Sequence, residues 1–287
     1  MRSKTLVNKP WSAHLGSALA LLVAPLALGC VGEVGHEDEG ALDEAVGEAQ
    51  AAVGWSGYSW GCGGSCELNL GTDVDRTCFL AGVWGKLGAS SQASVRVQRS
   101  GGDWILDVDA ASGQNLGANA VCVNTAENRT GQYTWTWGPG DGLPTSMGFG
   151  TSSRRCFLTQ VISNGAFRFN NWITDYARVR KDASGEWFLE GVSTTGVDTP
   201  VTATVKAICV DVPQNYGAWQ WLAGNNHRID PLASNSVGGV ACGMTGLGGP
   251  FTSNTWTDGV WLEYNPTTLD WEQHTVNNKT AWSQCVR

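Results

Sequence analysis

Histidine is scarce in this chain, with four residues in 287, and methionine is scarcer still, with three. His14 stands in an apolar N-terminal stretch and His36 among acids, so only His227 and His274 are left in the body of the chain. The chain lacks the G-x-S-x-G turn of hydrolase nucleophiles, the H-E-x-x-H pair of zinc proteases and the phosphate-cradling G-x-x-x-x-G-K-S/T loop. Basic charge is short as well. Eighteen Lys and Arg stand against 26 Asp and Glu, a formal net charge of −8 with no Lys/Arg stripe, which argues against a nucleic-acid partner. A sustained helical period is missing from Trp55 onward. These absences leave catalysis without support from any motif, and they imply neither a cofactor nor a metal.

The N-terminus does carry a pattern. Arg2, Lys4 and Lys9 precede "LGSALALLVAPLAL" (Leu15 to Leu28), then Gly29 and Cys30. A basic start followed by a short apolar run reads as a secretory signal over residues 1–29, too short to span a bilayer as a stable helix. Its end, "LALGC", resembles the lipobox of bacterial lipoproteins, although Leu26 and Ala27 sit one place further from the cysteine than in the usual Leu-Ala-Gly-Cys. The resemblance covers about a tenth of the chain. It implies that Cys30 takes a diacylglycerol, becomes the new N-terminus and holds an exported protein at the cell envelope; Val31 after it is compatible with delivery to an outer membrane. The alternative is ordinary cleavage nearby, leaving a soluble protein with a spare thiol. Residues 30–54 are rich in Glu and Asp, with no Lys, Arg or aromatic residue from Val31 to Val53, and read as an acidic flexible tether in which His36 is solvated.

From Trp55 the composition shifts to Gly, Trp, Val, Thr and Asn. Alternating runs such as "SVRVQ", "WILDVDA", "TATVKAICV" and "VWLEY" are separated by turn clusters such as "SGGD", "DASGE" and "YNPTT", the pattern of half-buried antiparallel strands. The phrase "RTCFLAGV" (Arg76 to Val83) returns as "RRCFLTQV" (Arg154 to Val161). Around it, Trp60 corresponds to Trp137, "VRV" (Val95 to Val97) to "ARV" (Ala177 to Val179), "DWIL" to "EWFL", and "AVCVN" to "AICVD". A third, weaker copy contains Trp221, "ACGMTGL" (Ala241 to Leu247), "VWL" (Val260 to Leu262), "DWEQ" and "SQCVR". Residues 55–287 are therefore three tandem units, about 55–124, 133–211 and 218–287.

The units organise the cysteines. Each has one cysteine in its phrase and one in its closing strand, which in an exported chain predicts the disulfides Cys78–Cys122, Cys156–Cys209 and Cys242–Cys285. Loops of 44, 53 and 43 residues each stabilise the fold by about 4 kcal/mol on the chain-entropy view. Zinc ligation is the alternative, but the spacings lack short knuckles. Cys62 and Cys66, in "WGCGGSC", read as a small structural clip with Gly63 and Gly64 allowing the tight turn, against a redox-active pair.

Fifteen tryptophans are the surplus that asks for a function. Those recurring by unit, Trp60, Trp137 and Trp221 in one set and Trp104, Trp187 and Trp271 in another, read as core. Trp84, Trp172 and Trp256 lie in variable stretches, near Asn170, Asn171, Asn254 and Asp258, and are the candidate ligand platform: rings to stack on sugar faces, amides and a carboxylate to bond hydroxyls. Burial in the core is the competing reading for these rings. Asp107 and Asp109 alternate on one strand face, either solvated or holding calcium, and the first is favoured.

The expected fold is all-β, three disulfide-stapled antiparallel units around a pseudo-threefold axis, β-prism-like with four strands per unit; a β-trefoil or three small β domains in a row are the alternatives. The expected function is a surface-tethered, non-enzymatic binding module for a glycan or an envelope component. A structural or adhesive envelope protein with protein partners is the second reading, and a secreted hydrolase the third.

Overall fold

The computed structural model describes residues 54–87, 93–137, 143–164, 175–192, 202–212, 215–222, 226–229, 240–268 and 270–286. Among them are eighteen β-strands and no helix. The first unit comprises β1 (Trp55–Cys62), β2 (Cys66–Thr72), β3 (Thr77–Gly85), β4 (Ser94–Ser100), β5 (Asp103–Asp109) and β6 (Leu116–Val123). The second comprises β7 (Tyr133–Trp137), β8 (Thr145–Phe149), β9 (Arg154–Asn164), β10 (Tyr176–Lys181), β11 (Glu186–Val192) and β12 (Thr202–Asp211). In the third are β13 (Asn215–Leu222), β14 (Asn226–Ile229), β15 (Ala241–Gly248), β16 (Gly259–Asn265), β17 (Asp270–Thr275) and β18 (Thr280–Val286).

These strands form three antiparallel six-stranded sheets: sheet I, β1-β6-β3-β16-β17-β14; sheet II, β7-β12-β9-β4-β5-β2; sheet III, β13-β18-β15-β10-β11-β8. Each sheet takes its opening, closing and phrase strands from one unit and a three-stranded half from another. The first unit lends β2, β4 and β5 to sheet II, the second lends β8, β10 and β11 to sheet III, and the third lends β14, β16 and β17 to sheet I. The exchange closes on itself, which is the pseudo-threefold arrangement in concrete form.

Two details differ from the sequence reading. Each unit has six strands where four were expected, the additions being the Trp-led opening strand and its short successor (β1 and β2, β7 and β8, β13 and β14). The register also places Trp135, not Trp137, in line with Trp60 and Trp221. Trp60 faces Ala118, Trp135 faces Val205 and Trp221 faces Ala281, each four residues before the closing cysteine. Trp135 is buried, while Trp60 is half-buried against the core.

The phrase strands β3, β9 and β15 touch one another at the centre. There Phe79 stacks on Phe157, centroids 4.0 Å apart and planes within 12°, and the third unit has Gly243 at the matching position. A Cβ on Gly243 would collide with both phenyl rings, so two rings and one glycine fill a space that three rings would overfill. Each phrase strand has an extra residue against its closing strand at the same place, Ala81, Thr159 and Thr245, a bulge repeated three times. Trp104, Trp187 and Trp271 are core residues, as their recurrence implied. The Trp104 and Trp271 indoles donate to the carbonyls of Arg76 and Val240, each two residues before the phrase cysteine, at 3.0 Å.

All four expected disulfides are present. The three equivalent ones join residues directly opposite one another in the sheets, with Cα atoms 4.0 Å apart. The Cys62–Cys66 clip spans the turn where the chain leaves sheet I for sheet II. Four disulfides are consistent with an exported or extracellular protein.

Candidate ligand-binding face

Strand pairing sorts sheet I into two faces. Trp60, Ala118, Val83, Val260 and Leu262 point to the core. The opposite face reads, strand by strand, Ser59 and Gly61 on β1, Gly117 and Asn119 on β6, Gly82 and Trp84 on β3, Gly259, Trp261 and Glu263 on β16, and Glu272 and His274 on β17.

On this face Trp84 and Trp256, two of the rings singled out above, come together. Gly61 and Gly117 are directly paired on β1 and β6. The Trp84 indole lies over Gly117, where a Cβ would stand 2.5 Å from its ring atoms; the Trp256 ring lies over Gly61, where a Cβ would stand 2.7 Å from it. Any side chain at either glycine would displace a ring. Trp84 is half-buried and Trp256 is 46 % exposed, so both offer ring surface to solvent. They belong to different units, Trp84 to the first and Trp256 to the third.

Asn254 and Asp258 are brought to the same loop, between β15 and β16, but they hold it. The Asn254 Oδ1 accepts the backbone N–H of Asn115 at 2.5 Å, its Nδ2 donates to the Gly113 carbonyl at 3.2 Å, and its own carbonyl accepts from Asn115 Nδ2 at 2.9 Å. Asp258 is 3 % exposed, ion-paired with the buried Lys279 and bonded by Asn277 at 3.2 Å. The Lys279 ammonium also donates to the Val276 and Asn277 carbonyls, each at 3.3 Å, and lies 5.2 Å from the Phe251 ring centroid. Burial pulls the Lys279 pKa down, and the Asp258 carboxylate opposes that. The Asp258 carbonyl takes the Gly85 N–H at 2.8 Å, tying the loop to the end of β3 beside Trp84. Trp172, Asn170 and Asn171 lie outside the described residues.

Sequence reasoning missed the other half of the face. Trp261 stacks on His274 with centroids 4.9 Å apart and planes within 6°. Burial lowers the His274 pKa, and the nearby Glu263 and Glu272 carboxylates, 3.7 and 3.5 Å from Nε2, push the other way. The same register positions hold Arg96 and Asp107 in sheet II, and Arg178 and Glu190 in sheet III. Both are ion pairs, at 3.1 and 3.0 Å. Where two sheets place a cation against a carboxylate, sheet I places two flat rings. The signal was in the repeats: "VRV", "ARV" and "VWL" align Trp261 with the two arginines.

Asp107 and Asp109 do share a face, but Asp107 is held by Arg96 and Asp109 accepts a hydrogen bond from the Ser65 hydroxyl at 2.5 Å. Burial raises the Asp107 pKa against the opposing charge of Arg96. Among the described residues no three His, Cys, Asp or Glu side chains are grouped to hold a metal ion. Set against models of known protein families and against curated proteins, the chain matches none.

Proposed function

We propose that this protein is a non-enzymatic binding module, exported and held at the cell envelope by lipid on Cys30, and that it binds glycans on the outer face of sheet I. The observation that carries the reading is the pair of indoles, Trp84 and Trp256, laid on the adjacent glycines Gly61 and Gly117 with open ring surface between two units. Sugar rings present apolar C–H faces edged by hydroxyls, and a flat aromatic platform with hydrogen-bonding neighbours suits them. The fastened loop fits the same reading, since a preordered ring loses less entropy on binding.

A glycan array probed with the mature protein tests it. Selective binding by the wild type, lost in Trp84→Ala and Trp256→Ala with unfolding transitions little changed, is the expected result. A blank array, or binding that survives both substitutions, overturns it.

A further inference from the structure

The Cys62–Cys66 disulfide has no counterpart in the second or third unit. It differs from the other three in access as well. Their six cysteines are 0 % exposed, whereas Cys62 and Cys66 are half-buried and flanked by the exposed Gly63 and Ser65. Thiol–disulfide exchange needs an attacking thiolate to reach sulfur, so a dithiol in solution opens this bridge before the others.

The clip adjoins the Trp84–Trp256 platform by two routes. Along β1 it follows directly on Gly61, the residue beneath the Trp256 ring. Across the turn, the Gly63 carbonyl inside the clip accepts the Gly113 N–H at 3.2 Å. Gly113 in turn holds Asn254, its carbonyl accepting from the Asn254 Nδ2 at 3.2 Å, and Asn115 makes two further bonds with Asn254, at 2.5 and 2.9 Å. Trp256 stands two residues past Asn254. Clip, 113–115 turn and the loop between β15 and β16 are thus one continuous chain of bonds. Gly63 and Gly64 bring no side chain to the clip, and nothing lies within 4 Å of a Cβ built on Gly64, so the cross-link and not packing confines the backbone there.

Resting on the glycan-binding reading above, we infer that the Cys62–Cys66 clip is a redox control on that site: closed, it holds Trp256 ready for ligand, and its reduction by a dithiol loosens the ring and weakens binding. One thiolate of the dithiol attacks a clip sulfur, forming a mixed disulfide and releasing the other cysteine; the second thiolate then attacks the dithiol's own sulfur in that bond and frees the first cysteine. Two electrons pass to the clip, its two cysteines take up the two protons the dithiol gives up, and the dithiol leaves as a disulfide. The Gly63 carbonyl then loses its fixed position under Gly113, and Gly61 its fixed position under the ring. The clip is the target of exchange in this step, not an oxidoreductase.

Graded dithiothreitol treatment of the full-length mature protein, with free thiols mapped by peptide mass, is the test. Cys62 and Cys66 should open at concentrations that leave the other three bridges closed. With no glycan present, amide hydrogen exchange at Gly113 and Asn115 should then quicken about tenfold, the equivalent of one hydrogen bond, while amides of β9 and β12 stay unchanged. The signal on the glycan array should fall by a similar factor and return on reoxidation. Cys62→Ser combined with Cys66→Ser should reproduce both effects without reductant and no longer respond to it. Opening of the clip only together with the buried bridges, or an open clip with exchange unchanged at Gly113 and Asn115, overturns the inference. Faster exchange with undiminished array binding overturns it too. Faster exchange in a protein that binds nothing on the array supports control of Trp256 by the clip and overturns the glycan reading instead.

Discussion

Tryptophan does two jobs here, and burial separates them. Trp187 is 5 % exposed within the core, and Trp187→Ala should cost roughly 3–5 kcal/mol in unfolding free energy, measured by denaturant titration. Trp256→Ala removes a ring that is 46 % exposed and should cost far less. If the two costs prove equal, Trp256 is a packing residue and the platform has lost one of its rings. His274 brings a pH dependence of its own. Burial depresses its folded-state pKa below the ordinary 6.5, so the unfolded chain takes up more protons as pH falls past that value. The stability associated with the neutral imidazole should thus be fully present above about pH 6.5 and decline as the solution is acidified toward the folded pKa. Thermal unfolding between pH 7.5 and 5 should show this decline, and His274→Gln should flatten it.

The loop between β15 and β16 is the element on which the site depends. Asn254 joins it to the 110–115 connection and Asp258 with Lys279 fastens its base, so Trp256 is placed by polar bonds and not by its own burial. Asn254→Ala deletes two of these hydrogen bonds, about 1–3 kcal/mol of local stability, and should reduce glycan affinity nearly as far as Trp256→Ala does. Unchanged affinity would show that the loop is held without it. This element also marks how far the sequence could be read. Repetition identified the core set Trp104, Trp187 and Trp271, the cysteine pairing and the variable position of Trp256, but it put Trp137 where the register puts Trp135. It could not reveal that Asn254 bonds the neighbouring backbone and that Asp258 turns inward, because an amide or a carboxylate looks the same in sequence whether it meets solvent, a backbone group or a buried lysine. Nor did alternation mark β1, whose Gly61 sits under the Trp256 ring.

At the scale of the molecule, sharing of strands decides how the protein folds. A sheet completed by another unit's half means that an isolated unit has three strands in one sheet and three in another, each with an exposed edge where the partner half should pair. The disulfides do not remedy this, since Cys78–Cys122, Cys156–Cys209 and Cys242–Cys285 each bind a phrase strand to the closing strand of its own unit. Contacts between units rest instead on the seams, β3 with β16, β9 with β4 and β15 with β10, and on the central rings of Phe79 and Phe157. Unlike a row of independent repeats, whose stability is a sum of local terms, this closed exchange should melt as one. We expect residues 55–287 to give a single unfolding transition with coincident near- and far-ultraviolet circular dichroism. Fragments 55–124, 133–211 and 218–287, each oxidised alone, should remain unfolded, and mixing all three should restore structure. A fragment that folds by itself, or a melt with separate steps, would mean that the strand exchange is secondary to cores contained within each unit.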